Sequence, residues 1–245
     1  MSPTSTEKLQ HIYRLQQSKL VSISHLTENL SEIYENLDVF SNEQKTLAGE
    51  LEICTNKIRG SIRRLEKKGD KEECLHQDDC TLLSPVRKKS LLQTIRDVHE
   101  ITSSTAEDIY RLSVRHKHSA ALLDLSVIVV KHFLWRERVF MAIILDGHDG
   151  QVLKQVSSRN CALGRWYEGR GKKAYSHLSA YRSLGDVHSR YHTMVNELVD
   201  KGLEGIPFHE LSEGLAKLEI MSQQILGLIG QIQHHISLLQ NTQPS

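Results

Sequence analysis

Cys161 and a small set of histidines are the residues whose types and spacing could do chemistry. The chain carries fourteen histidines, several of them inside apolar helical runs. His188 and His192, in "VHSRYH", stand four apart. On a helix that spacing puts both imidazoles on one face, one turn apart, where two nitrogens can converge on one metal ion. His132 lies in "VVKHFLWRERVF", an apolar stretch in which its ring nitrogens require partners. Each feature alone has a plain reading as a surface pair, a satisfied core histidine or a buried structural cysteine. Together, one cysteine and three histidines supply the four donors of a tetrahedral zinc site, and their softness selects zinc over magnesium or calcium.

Four protein ligands would close the tetrahedron and leave no position for an activated water, which argues against a zinc hydrolase. "HSRYH" also lacks the glutamate that serves as general base in His-Glu-x-x-His. The sequence holds no phosphate-cradling glycine-rich loop, no nucleophile elbow and no cyclase signature. The expectation is a protein that is not an enzyme.

Long helices must position these residues. From Ile23 the apolar positions step by three and four through Leu26, Leu30, Ile33, Leu37 and Phe40, then Leu47, Leu51, Cys54 and Ile58. Such alternation over about five heptads marks a coiled-coil seam, with Gln44 as a buried polar position that sets register and Cys54 as a small hydrophobe. The pattern stops at Gly69, suited to a C-terminal cap, and resumes after Pro85, suited to a helix start. A second periodic segment runs through Leu91, Ile95, Val98, Ile109, Leu112 and Leu123 to Leu145, so an antiparallel hairpin is the economical arrangement. Glycine clusters at 146–150 and 169–171 break the middle of the chain. A last helix follows Pro207, with a seam at Leu211, Leu215, Leu218, Ile225, Ile229, Ile232, Ile236 and Leu239. Its Gly214, Gly227 and Gly230 each cost about 1 kcal/mol relative to alanine, so it needs a packing partner. Seams this long in a chain only 5% aromatic predict a homodimer in which each seam meets its hairpin mate or its copy.

A formal charge of +1 leaves no global field to attract nucleic acid or an acidic membrane, and the basic run Lys57–Lys71 reads as a solvated helix end. The most apolar stretch, Ala120–Val130, contains Asp124 and is too short to span a bilayer, so no membrane insertion is expected. The start, "MSPTSTEKLQ", lacks a signal-peptide layout, and cysteines at 54, 74, 80 and 161 form no disulfide framework; both point to the cytoplasm. "CLHQDDC" at Cys74–Cys80 reads as an exposed turn with two spectator cysteines.

Three segments, "HFLW" at His132–Trp135, "CALGRWY" at Cys161–Tyr167 and "HSRYH" at His188–His192, resemble the chemoreceptor zinc-binding (CZB) domain family. They occur in that family's order, at intervals of 161 − 132 = 29 and 188 − 161 = 27 residues. The resemblance implies a helical bundle with a 3-His/1-Cys zinc site on His132, Cys161, His188 and His192. It also implies a tight approach at Gly164 and packing of the small four-helix core by Trp135 and Trp166. One departure is visible: no acid lies between Asp149 and Cys161, where some members place one, which bears on the hydrogen bonding and reactivity of the thiolate.

The expected organisation is all-α: a coiled-coil hairpin over 1–119 with its tip at about 69–86, a CZB-like zinc-binding domain over 120–205, and a C-terminal coiled-coil helix over 206–245. The function implied is a zinc-binding regulatory protein of bacterial signal transduction, of the chemotaxis or cyclic-di-GMP kind. Its input would be zinc or the oxidation of Cys161, and its output would pass to a signalling protein partner. The alternative is a zinc-stabilised structural or adaptor dimer.

Overall fold

The computed structural model describes residues 5–72, 85–144, 153, 155–201 and 206–241, and every regular element among them is helical. Helix α1 spans Ser5–Glu72 and α2 Pro85–Ile144. A short α3, Ala162–Trp166, passes through a π-helical turn, Tyr167–Gly171, into α4, Lys172–Tyr175. Two longer helices close the chain, α5 over Ser179–Lys201 and α6 over Phe208–Asn241. The all-α class read from the sequence is the class observed.

Pro85 opens α2, where its missing N–H would have had no partner and its fixed φ suits a first turn. Gly69 does not end α1, which continues to Glu72; one glycine costs about 1 kcal/mol in a helix, too little to break a helix of this length. Cys74, Cys80 and the glycine cluster at 146–150 lie outside the described residues.

Contacts group the chain into two compact units, Met1–Glu35 with Ala120–Ser245, and Asn36–Ser119. Within Asn36–Ser119, α1 and α2 run antiparallel. Ser41 Oγ donates to the Ser113 carbonyl at 2.7 Å, Gln44 Oε1 meets His116 Nδ1 at 2.7 Å, and Arg96 pairs with Glu66 at 2.5 Å. The buried face of α1 is Ser41, Ala48, Thr55 and Ile62, a strict seven-residue repeat, and Ala106 and Ser113 are its counterparts on α2. Small side chains let the backbones approach; the Ser41 hydroxyl bonds across the pair, while those of Thr55 and Ser113 bond within their own helices, to the Leu51 carbonyl at 2.8 Å and the Tyr110 carbonyl at 2.7 Å. The seam read from the apolar positions is a different face: Phe40 and Leu47 are each 48% exposed, and Cys54 is exposed too.

The other unit holds the main core. Leu125, Ile128 and Val139 of α2, Leu163 and Trp166 of α3, and Leu184, Tyr191 and Val195 of α5 pack with Leu218, Ile225, Ile229, Ile232 and Ile236 of α6. The buried positions of α5 recur three and four apart, the spacing of one helix face. The C-terminal helix, given its own span in the sequence reading, is a wall of this same core. Gly214 brings it close to α5: a Cβ there would sit 2.8 Å from a Leu198 methyl.

Candidate metal centre

Cys161 stands at the N-cap of α3, and its sulfur accepts from the Gly164 N–H at 3.2 Å. That contact requires glycine at 164, because a Cβ there would overlap the Ser158 carbonyl oxygen and lie 2.8 Å from the carbonyl carbon of Arg159. The backbone therefore supplies the hydrogen bond to sulfur that no nearby acid provides. Burial pushes the Cys161 thiol up from its ordinary value, while the N–H groups of Gly164 and Leu163 pull it down.

His188 and His192 come from successive turns of α5, both on its buried face. His188 Nε2 lies 3.3 Å from Cys161 Sγ, and the two imidazoles meet edge to face with centroids 4.8 Å apart. One donor atom from each of Cys161, His188 and His192 falls within 4.8 Å of the other two.

His132, on α2, sits next to this trio and is turned differently. Its ring lies 5.3 Å from that of Tyr191, and its Nε2 meets Ser222 Oγ of α6 at 3.1 Å. Burial keeps all three histidines well below the ordinary histidine value, and repulsion from neighbouring imidazoles adds to it at His132 and His188. His132 is lowered to about 4 by burial, His192 and Arg136, and His188 to about 3 by burial, His192 and His132. Burial alone brings His192 to about 4.

The donor set fits zinc. The three histidines are held neutral, as a ligand nitrogen must be, and the cysteine brings the one anionic donor. Several buried polar atoms here also lack partners: His192 Nδ1, Trp135 Nε1 and Tyr191 OH make no hydrogen bond. A buried orphan nitrogen beside a thiol and a second imidazole is the environment a cation would complete.

Trp135 stacks on His192 with centroids 4.4 Å apart and fixes the ring's orientation. Trp166 is buried in the core and covers Gly171, where a Cβ would lie 2.8 Å from its six-membered ring. Tyr191 and Ser222 are the residues the sequence reading missed. Their signal was present: Ser222 is the one polar residue filling the gap between Leu218 and Ile225 in the C-terminal seam, and it is fully buried.

With this geometry established, residues 132–199 match the family model of the chemoreceptor zinc-binding domain. That domain is described as zinc-binding, and the match runs from the first predicted ligand to just beyond the last. No curated protein and no solved structure matches the chain.

Proposed function

We propose that this protein is a cytoplasmic zinc-binding regulatory component of bacterial signal transduction, of the chemotaxis or cyclic-di-GMP kind, and not an enzyme. Cys161, His188, His192 and His132 would hold the ion, His132 by exchanging its bond to Ser222 for one to the metal. Bound there, zinc would supply a cross-link between α2, α3 and α5. The observation that carries this reading is the convergence of Cys161, His188 and His192 donors within 4.8 Å.

The input would be zinc availability or an oxidant. A thiolate that takes an oxygen from hypochlorous acid, releasing chloride, becomes a sulfenic acid and loses the charge that made it the strongest donor. The output would leave through the segment that follows Cys161. Arg170, nine residues on, grips the buried carboxylate of Asp124 on α2 through two contacts of 2.8 and 3.2 Å. Its guanidinium also lies 4.9 Å from the ring centre of Tyr34 on α1. A shift of α3 would therefore reach both long helices at once.

Among the described residues, α2 is the one helix long and apolar enough by composition to cross a membrane. Its apolar side chains Leu125, Ile128, Val139 and Ile143 are spent in the core beside the site, which supports a water-surrounded domain. The depth of the three histidines gives a second reading some support: a structural zinc held until the protein unfolds. Zinc-buffer titration with helix packing read by hydrogen exchange separates the two. A sensor exchanges its zinc within the buffered cellular range and changes protection along α2; a structural site does neither.

A further inference from the structure

Within Asn36–Ser119 the antiparallel pair leaves one whole apolar face uncovered. Numbering α1 in heptads with Leu37, Gln44, Leu51 and Ile58 at a places Phe40, Leu47 and Cys54 at d, and the buried Ser41, Ala48 and Thr55 at e. The same numbering of α2 puts Ile95, Thr102, Ile109 and His116 at a, Leu91, Val98, Thr105 and Leu112 at d, and the buried Ala106 and Ser113 at e, so the face is apolar at its two ends and carries two threonines between them. The helices thus meet e to e. In an antiparallel pair, reversing one helix mirrors its wheel, so the a and d positions of both point to the same side. That side carries half-buried a residues and bare d residues: Leu91 is 48% exposed, Val98 47% and Leu112 41%.

We infer that this face is covered by the same face of a second copy of the chain, giving a four-helix bundle with its two-fold axis along the helices. Each helix would then pack on its own partner through e and on the other copy's through d, with a residues in the centre, which is the layout of such bundles. Two further features fit a copy better than an unrelated partner. Gln44 and His116, bonded to each other at 2.7 Å, form a hydrogen-bonded polar step in the face, and a two-fold axis sets that step against itself. Charge is complementary as well. Because the helices run in opposite directions, the contacts of Ser41 with Ser113 and of Gln44 with His116 bracket the register from either side, and Glu43 and Arg115 fall between them at nearly the same height, both exposed at g on the outer flank of the d face. Across the two-fold axis Glu43 of one copy meets Arg115 of the other, twice. The outer flank of the contact within one chain is closed in this way already, by Glu66 and Arg96 at 2.5 Å.

Sedimentation equilibrium on the full chain tests this, with helix content followed by circular dichroism. The expected mass is twice 28.0 kDa. Leu47→Glu, which puts a charge in the face, should give a helical monomer. Glu43→Arg and Arg115→Glu change exposed flank residues and leave the fold intact; each should weaken the dimer by about tenfold, the scale of two lost surface ion pairs turned repulsive. Mixing those two variants should restore a dimer of one chain of each, because both contacts then regain opposite charges. A wild-type mass other than two chains, or a dimer indifferent to Leu47→Glu and to the charge exchanges, overturns the inference.

Discussion

The sulfur of Cys161 lies 3.3 Å from Nε2 of His188, 27 positions later and on another helix. Two unlike donors from two elements at that separation are what a metal ion needs and what hydrophobic packing has no reason to create. The cysteine is held from behind by the Gly164 N–H, and His188 shares a helix face with His192. Geometry, not any single residue type, makes the constellation a candidate metal centre.

Gly164 should tolerate no side chain. In Gly164→Ala the new methyl group runs into the Ser158 carbonyl, and relieving the clash moves the N–H away from Cys161. The variant is expected to lose about 1–3 kcal/mol of stability, the usual scale of overpacking, and also to bind zinc more weakly. Denaturant titrations with and without zinc measure both. Gly227→Ala is the control: nothing lies within 4 Å of its added Cβ, so it should stabilise α6 by up to about 1 kcal/mol.

Removing Arg170 should leave the zinc site intact and uncouple it. Arg170→Ala removes two hydrogen bonds from the carboxylate of Asp124, whose side chain is 9% exposed, while the arginine itself is 60% exposed and partly screened. A loss of about 1–3 kcal/mol is expected, the scale of hydrogen bonds to a charged group. Zinc affinity should change little, but the protection change along α2 on chelation should shrink, as hydrogen exchange would record.

Acid should unfold the metal-free protein earlier than its carboxylates require. His132 and His192 titrate near 4 and His188 near 3 in the fold, against 6.5 for a free side chain. Between pH 6.5 and those values the unfolded chain binds more protons than the folded one, so stability is full above 6.5 and falls as pH drops through the window. A series of thermal melts from pH 7.5 to 4 checks the slope. His188→Gln should flatten it; a flat wild-type profile would mean that these rings are not buried neutral.

Much of the centre was legible in the chain because its donors stand at helix-compatible spacings within distinctive short segments: a cysteine three residues before a glycine, and histidines four apart. Ser222 was not, since a serine in a seam gains meaning only when the helix that faces it is known. The hairpin was legible as two helices but not as a contact. Hydrophobic periodicity finds the most apolar face of a helix, whereas α1 and α2 meet through Ser41, Ala48, Thr55, Ala106 and Ser113, chosen for size and backbone approach. The position of His132 was legible, but its turn toward Ser222 was not, because rotamers follow from packing that no local pattern encodes.

The most direct test is the zinc content and affinity of the purified, reduced protein against a competing chelator, with wild type beside Cys161→Ala. About one zinc per chain in wild type, lost or weakened by orders of magnitude in the variant, is the result this account requires. Wild type that carries no zinc and takes none up would contradict it, and would leave Cys161, His188 and His192 as neighbours in a helical core with no metal to hold.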